Sequence, residues 1–187
     1  NPLVTKGNPY YFRVCFIDPF QGTVMATYAS KSVKAKKAVI IREVSNDYSV
    51  GLAKYFVDSF VKLTGDKNAI VATLNYNTGD QDFSAQLTQI KSLKADVIFA
   101  PGNYTESALI IKQARELGIK TPFLGGDTWE INEFVTVGKA AVEGAVMSTF
   151  FDNDAPLTPN SKVFVTEYQK KYGKLPSGTA VLGFDGY

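Results

Sequence analysis

Short apolar runs alternate with amphipathic segments from residue 38 to residue 150. The apolar runs predict strands at 38–42, 69–74, 96–100, 121–125 and 144–150. Between them, apolar residues spaced three and four apart predict helices at 49–63, 81–94, 105–117 and about 130–138. Strands rich in Val, Ile and Leu that alternate with helices are typical of a parallel sheet covered on both faces. The pattern therefore predicts an α/β fold.

The N-terminal segment has a different pattern. Residues 10–17 are mostly apolar and predict a strand in which the thiol of Cys15 is buried. Asp18–Gly22 predicts a turn, and residues 22–34 predict a helix. The inner side of that helix is expected to carry Val24, Tyr28 and Val33.

The C-terminal segment predicts one more helix. Thr158-Pro159 is a favourable N-cap and first-turn pair for a helix that runs to Tyr172 and stops at Gly173. The apolar side of this helix needs a sheet to cover it, and it carries Val163, Phe164 and Tyr168. Because exposed patches of this kind usually mark an interface, the pattern predicts self-association, a homo-oligomer of this chain.

Composition narrows the range of functions. The 187 residues carry a net charge of +2, which is too small to argue for a nucleic-acid partner. The sequence has no histidine and one cysteine, which excludes Ser-His-Asp or Cys-His catalysis and histidine-ligated or cysteine-rich metal sites within this chain. It also has neither of the glycine-rich phosphate-binding motifs. We therefore expect no catalytic residues, no metal and no cofactor.

Three predicted strands are followed by turns that carry polar and aromatic residues. Turns after parallel strands lie along one edge of the sheet, where ligands bind in folds of this kind. The turns follow residues 42, 100 and 125, and they nominate a small-molecule site of Tyr48, Asn103, Tyr104, Asp127 and Trp129. Aromatic side chains beside a cleft could wall an apolar ligand, and a carboxylate could pair with a ligand ammonium group.

Each of these residues also has a structural interpretation. Asp127-Thr-Trp-Glu130 and Asn103-Tyr-Thr-Glu106 are both capping-box patterns, in which the first residue caps a helix instead of contacting a ligand. The three aromatic residues could simply pack over helix ends. The residues alone leave both interpretations open.

Four segments in order along the chain resemble the type I periplasmic binding proteins of branched-chain amino-acid transport, the leucine/isoleucine/valine-binding proteins. They begin with Asn1-Pro-Leu, Tyr11-Phe-Arg and Asp18-x-x-Gln-Gly22. They continue with Asp47-Tyr48-x-x-Gly51 and Asp82-Phe-Ser, then with residues 110–118 and Phe123-Leu-Gly-Gly-Asp127. The last contains Phe164, Tyr168, Tyr172-Gly-Lys-x-Pro176 and Phe184-Asp185.

The resemblance implies a fold of two flavodoxin-like lobes that close on a ligand, each a three-layer lobe with a mostly parallel, doubly wound sheet in the strand order 2-1-3-4-5. Residues 18–149 would form the second, ligand-binding lobe, and residues 1–17 and 150–187 would be hinge and partial first-lobe segments. The first half of the first lobe, which grips the ligand carboxylate in the family, would be missing. Hinge closure would occur around Asp18, Gln21, Gly22 and Ser148.

The resemblance also suggests roles for single residues. Tyr48 matches the tyrosine that follows the first strand of this lobe in the family. Asp127 matches the acidic position that pairs with the α-ammonium group of the ligand, with Asp in place of the longer Glu of some members. Asn103 lies at a contact position that is often aromatic in amino-acid binders, and Tyr104 could substitute for it. Trp129 is expected near the pocket mouth.

The implied function is non-catalytic binding of a small solute, an amino acid, for delivery to an ABC permease in the membrane. The implied location is periplasmic or extracellular, with a lipid anchor as an option in the parent protein. A second function from another class stays open: a related lobe in a regulator or receptor that senses an amide or another small polar ligand.

Overall fold

The computed structural model describes residues 3–187; Asn1 and Pro2, which begin the first motif of the resemblance, lie outside the described residues. The chain divides into two compact units. The first contains Ile17–Ser148, and the second contains Val4–Phe16 and Thr149–Tyr187.

The first unit is built on a five-stranded sheet in which all neighbouring strands are parallel. Its strands are β1 (Ala38–Glu43), β2 (Ile70–Tyr76), β3 (Val97–Phe99), β4 (Phe123–Gly125) and β5 (Val146–Met147). They lie in the order β2-β1-β3-β4-β5. This order confirms the predicted doubly wound, flavodoxin-like sheet. The last three strands are shorter than the sequence pattern predicts.

Five helices of the first unit are α1 (Asp18–Thr27), α2 (Asp47–Thr64), α3 (Ser84–Ser92), α4 (Tyr104–Glu116) and α5 (Asn132–Gly138). A π-helical turn at Tyr28–Ser32 extends α1, and short 3-10 turns lie at Asp127–Trp129 and Lys139–Val142. The helix α4 ends just before Gly118, whose φ of 77° confirms the predicted left-handed end of this helix.

Alternate residues of the central strands supply two separate hydrophobic cores, because side chains of a strand point to opposite faces. Val39, Ile41 and Ile98 belong to one core, and Ala38 and Ile40 belong to the other. The second core contains three stacked rings. The Phe56 ring lies 4.1 Å from Phe99 and 5.4 Å from Phe60, measured between centroids. Both faces of the sheet are therefore covered, as predicted.

The start of the first unit corrects the sequence prediction. Asp18–Gly22 is not a turn, because α1 already begins at Asp18, where an acidic residue and Pro19 suit the first turn of a helix. The inner face also differs. Val24 and Tyr28 are exposed, and only Val33 of the three predicted residues packs against the core. The residues that face inward are Gln21, Gly22, Met25, Ala26 and Ala29. Small side chains on this face allow α1 to pack closely on α2.

The second unit lacks the strand predicted at residues 10–17, which form no regular secondary structure. A strand needs a neighbouring strand to pair its backbone groups. Among Val4–Phe16 and Thr149–Tyr187, no strand is present to supply one. Tyr10 and Phe12 are consequently exposed, and Cys15 is half-buried and not fully buried as predicted.

Two helices form the rest of the second unit: α6 (Pro159–Tyr172) and α7 (Gly178–Gly186). The bounds of α6 agree with the prediction, and Thr158 caps it by accepting a hydrogen bond from the Ser161 amide at 3.1 Å. The ring of Phe164 lies 4.4 Å from that of Phe184, between centroids. Val163 remains exposed on α6. The predicted self-association stays a prediction.

Candidate functional site

The candidate site lies at the carboxyl ends of the strands of the first unit, the edge where ligands bind in doubly wound sheets. Asp127 follows β4, Ser148 follows β5, and Tyr48 is in the first turn of α2. Gln21 lies inside α1. These four side chains come from distant parts of the sequence, and the topology of the sheet brings them together.

One oxygen of Asp127 is the centre of a hydrogen-bond network. The hydroxyl of Tyr48 donates to Asp127 Oδ1 at 2.6 Å, and the side-chain amide of Gln21 donates to the same oxygen. Gln21 Nε2 also donates to Ser148 Oγ at 2.7 Å. No protein group within residues 3–187 donates to Asp127 Oδ2 or forms an ion pair with this carboxylate.

The surroundings of Tyr48 keep its hydroxyl in the protonated, donating form. Burial raises the pKa of this hydroxyl above its ordinary value, and the negative charge of Asp127 and the hydrogen bond to it raise it further. The carboxylate therefore has a fixed donor at any physiological pH. The site combines one half-buried carboxylate with neutral donors, which suits a cationic group of a small ligand.

The two glycines before Asp127 serve the packing of the protein itself. A Cβ atom at Gly126 would lie 2.2 Å from the Tyr48 hydroxyl, and one at Gly125 would lie 2.3 Å from the indole ring of Trp129. Both contacts are too close for a real atom. Glycine at position 126 thus lets Tyr48 reach Asp127.

Asp127 does not have the capping role that its sequence pattern allowed. The 3-10 turn at Asp127–Trp129 has Gly126 at its N-cap position and no side-chain cap. The carboxylate of Asp127 accepts instead from Tyr48 and Gln21.

Asn103 does stand at the N-cap position of α4, but its side chain makes no capping hydrogen bond. Tyr104 is half-buried and packs against the hydrophobic core. The hydroxyl of Thr128 donates to the carbonyl of Gly102 at 2.8 Å, which links the turn before α4 to the turn that carries Asp127. The network around Asp127 does not include Asn103 or Tyr104, so their contact with a ligand stays a prediction.

Trp129 is not near a pocket mouth. Its side chain is 1% exposed and stacks on Phe134 at 4.8 Å between ring centroids, inside the core of the first unit. This corrects the sequence expectation. The physical reason is that the chain turns back after β4, where the absence of a side chain on Gly125 leaves space for the indole.

The residues predicted for the hinge have well-defined places in the first unit. Asp18 begins α1, Gln21 and Gly22 are buried within it, and Ser148 is the last residue of the unit. No pattern in the sequence indicated that Gln21 would contact Ser148 and Asp127, because 106 or more residues separate Gln21 from each of them. Their hinge role stays a prediction.

A second polar network near the same edge was also missed. Glu43, at the end of β1, is 1% exposed and accepts hydrogen bonds from the hydroxyl of Thr78 and the amide of Asn46. Glu106 accepts from the backbone amide of Gly79 at 2.9 Å. Two buried carboxylates therefore hold the loop after β2. The signal available in the sequence was a polar residue, Glu43, at the end of an apolar run.

The described residues offer no obvious place for a metal. Within residues 3–187, no group of three or more Cys, Asp or Glu side chains could hold one. In the same range, no helix combines the length and apolar character that crossing a membrane requires.

Comparisons with known proteins identify the family. The family model described as periplasmic binding protein matches residues 3–187. This chain belongs to the periplasmic binding protein family. The resemblance noted in the sequence is thereby confirmed, and so is the fold of a type I lobe.

Among solved structures, this family member is similar to a leucine-binding protein, LivK, from Thermotoga maritima, with 44% identity and a TM-score of 0.93. That match covers 100% of this chain and 52% of LivK. It is also similar to LivJ of Streptococcus pneumoniae, a branched-chain amino-acid transporter substrate-binding protein solved with isoleucine. That match has 35% identity and a TM-score of 0.82, and covers 92% of this chain and 48% of LivJ.

A curated relative is the Leu/Ile/Val-binding protein BraC3 of Rhizobium johnstonii, 33% identical over 162 residues. The match covers 86% of this chain and 42% of the relative. The chain of this family member thus spans about half the length of the relatives that it matches.

Proposed function

We propose that this chain is part of a solute-binding protein that binds a branched-chain amino acid and delivers it to an ABC permease. The observation that carries the proposal is the Asp127 carboxylate. It lies at the ligand-binding edge of a parallel sheet, takes two hydrogen bonds on Oδ1, and has Oδ2 without a partner within residues 3–187. A primary ammonium group supplies the missing charge and donors.

The proposed roles follow from this geometry. Asp127 binds the ligand ammonium through Oδ2, and Tyr48 holds Oδ1 while its ring forms one wall of the site. Tyr104 and Asn103 are proposed contacts on the neighbouring turn. Residues 18–149 act as the second lobe of a two-lobe protein. We propose that the ligand carboxylate is bound by another region, which corresponds to the part of the relatives that this chain does not cover.

The ligand class is proposed from the relatives. LivK of T. maritima is described as leucine-binding, and LivJ of S. pneumoniae is described in complex with isoleucine. An aliphatic amino acid also agrees with a site whose polar groups are few and clustered around one carboxylate. Binding and release need no bond to be made or broken, so the proposed function is non-catalytic.

The proposed place of action is the periplasm or the cell exterior, where proteins of this family present solutes to membrane permeases. The sensing function considered from the sequence is not favoured, because the similar proteins are named for binding and transport of amino acids. Lobe closure around the ligand by a hinge motion is part of the proposal.

The experiment is calorimetric titration of the longest natural form of the protein that contains this chain. L-leucine is compared with 4-methylpentanoate, which lacks the ammonium group, and with 3-methylbutylamine, which lacks the carboxylate. We expect L-leucine to bind best. Asp127→Asn should weaken leucine binding about 10- to 100-fold, since hydrogen bonds to charged groups are worth about 1.5–3 kcal/mol.

Asp47→Asn is the matched control, because Asp47 is an exposed aspartate of the same sheet edge, in the first turn of α2. It should leave leucine affinity unchanged. Equal affinity of the wild type and Asp127→Asn for leucine would remove the ammonium-binding role of Asp127. Binding of amides or organic acids in preference to leucine would reject the amino-acid proposal.

A further inference from the structure

We propose that Gln21 is a positioning residue for ligand binding, whose side-chain amide sets the Asp127 carboxylate in the orientation that receives an ammonium group. Ser148 in turn fixes the amide of Gln21. The inference rests on the proposed function, since it concerns how the same site is held. It gives Gln21 and Ser148 a role beyond the hinge positions suggested by the sequence resemblance.

Both protons of the Gln21 amide nitrogen take part in hydrogen bonds. One points to Asp127 Oδ1 and the other to Ser148 Oγ, at 2.7 Å. Gln21 is 2% exposed, so water does not compete for these bonds. The reversed amide would place Oε1 against a carboxylate oxygen, which is repulsive. The two acceptors therefore define a single orientation of the side chain.

Two donors on Oδ1 restrict the rotation of the Asp127 carboxylate. Tyr48 has one proton, and a single hydrogen bond to Oδ1 leaves the carboxylate free to rotate about its terminal torsion, which is broad for aspartate. A second donor on Oδ1, from a different direction, restricts that rotation. Tyr48 and Gln21 together occupy Oδ1 and leave Oδ2 for the ligand. Preorganisation of this kind raises affinity by reducing the ordering cost of binding.

Gln21 and Ser148 lie near the two ends of the segment Ile17–Ser148. Ser148 is the last residue of the first unit, and Gln21 lies in the helix that begins just after Ile17, where the chain enters this unit from Phe16. The link from Asp127 through Gln21 to Ser148 thus lies beside the points at which the chain passes from Phe16 to Ile17 and from Ser148 to Thr149. Asp127, Gln21 and Ser148 are linked by hydrogen bonds between side chains, and these bonds are not part of the pairing between strands.

The test is a double-mutant cycle on the longest natural form of the protein that contains this chain, with leucine affinity measured by calorimetry. Gln21→Met keeps the length and the unbranched shape of the side chain but removes its donors. We expect about a tenfold loss of leucine affinity, the value of one hydrogen bond to a charged group. In the Asp127→Asn background, the same substitution should cause no further loss, because Gln21 acts through the carboxylate.

A second readout separates positioning from general loosening of the structure. Gln21→Met should weaken binding of L-leucine more than binding of 4-methylpentanoate, because only leucine carries the ammonium group. Gln89→Met, at an exposed glutamine of α3, is the matched control and should change neither affinity. Ser148→Ala removes the acceptor that fixes Gln21, and we expect a loss in the same direction of about two- to fivefold.

Each possible result supports or overturns the positioning role of Gln21. Equal losses from Gln21→Met in the wild-type and Asp127→Asn backgrounds, or equal losses for the two ligands, would overturn the positioning role. Wild-type leucine affinity in both Gln21→Met and Ser148→Ala would also overturn the positioning role. If Asp127→Asn still lowered leucine affinity strongly, the proposed function would stand. If Gln21→Met fails to fold, Ser148→Ala carries the same cycle. If Asp127→Asn leaves leucine affinity unchanged, both proposals are rejected.

Discussion

The two units of this chain use apolar residues in opposite ways. In the first unit, the rings of Phe56, Phe60 and Phe99 are fully buried against a five-stranded sheet. In the second unit, Phe12 is 85% exposed and Phe184 is 56% exposed. Among the buried apolar side chains of the described residues, those of the second unit are Pro176 and Val181.

The difference shows that an apolar pattern needs a partner surface before it becomes a core. Helices α2 and α6 are both capped and both end at a left-handed glycine, so their local signals are equally good. Among the described residues, the unit of α2 contains a sheet for this helix to pack on, whereas the unit of α6 contains no strand. The difference therefore arises from tertiary packing and not from local propensity.

The largest expected effect is on stability, from one aromatic residue in each unit. Phe56→Ala should lower the free energy of unfolding by about 3–5 kcal/mol, because it removes a fully buried ring and leaves a cavity. Phe184→Ala should lower it by less than about 1 kcal/mol, because much of that ring is already in water. Urea unfolding of the chain measures both.

The fluorescence of Trp129, the one tryptophan of the sequence, reports on the first unit, and circular dichroism reports on all helices. Similar losses for Phe56→Ala and Phe184→Ala would contradict the contrast between the two units. A large loss for Phe184→Ala alone would mean that the second unit buries this ring in solution.

A smaller effect is expected from paired glycine substitutions. Gly126→Ala places a methyl group where the Tyr48 hydroxyl lies, and should destabilise the chain by about 1–3 kcal/mol. Gly183→Ala, inside α7, has nothing within 4 Å of the new atom. It should stabilise the chain by about 0.5–1 kcal/mol, since alanine is the better helix former. Thermal unfolding followed by circular dichroism gives both values, and a neutral Gly126→Ala would reject the tight contact with Tyr48.

The smallest expected effect is a dependence of stability on alkaline pH that originates in the first unit. The pKa of Tyr48 is raised in the folded protein, so the folded state holds this proton when the unfolded state loses it, at about pH 10. The stabilisation is complete below that pH and is lost as the pH rises above it. Urea unfolding between pH 8 and pH 11 should show a shallower loss for Tyr48→Phe than for the wild type; identical slopes would contradict the assignment.

The sequence predicted the repeating part of the fold well because the pattern there is local. The strand at Ala38–Glu43 and the helix α6 have apolar spacing and end signals that lie within a few residues of one another. The prediction failed where the deciding contact is distant. Residues 10–17 have the composition of a strand but no strand of their own unit to pair with, and the buried face of α1 is set by its contact with α2.

The residues of the candidate site also differ in whether the sequence alone could predict them. Tyr48 and Asp127 could be nominated because each follows a predicted strand, and parallel strands end at one edge. Trp129 follows the same strand as Asp127, yet the fold buries it under Gly125. Gln21 could not be linked to Asp127 at all, because nothing in a helix pattern identifies which residue on a distant loop it will meet.

The sequence by itself determined the class of fold and, through its family resemblance, the strand order, and it nominated the Asp127 carboxylate as a group that could receive an ammonium group. These depend on local periodicity, on turn chemistry and on the rule that parallel strands share an edge. Only the tertiary structure decided that Asp127 accepts hydrogen bonds from Tyr48 and Gln21 and caps no helix. The reason is that a hydrogen bond depends on distances of a few ångströms between side chains, and residues far apart in sequence acquire such distances only when the helices pack on the sheet.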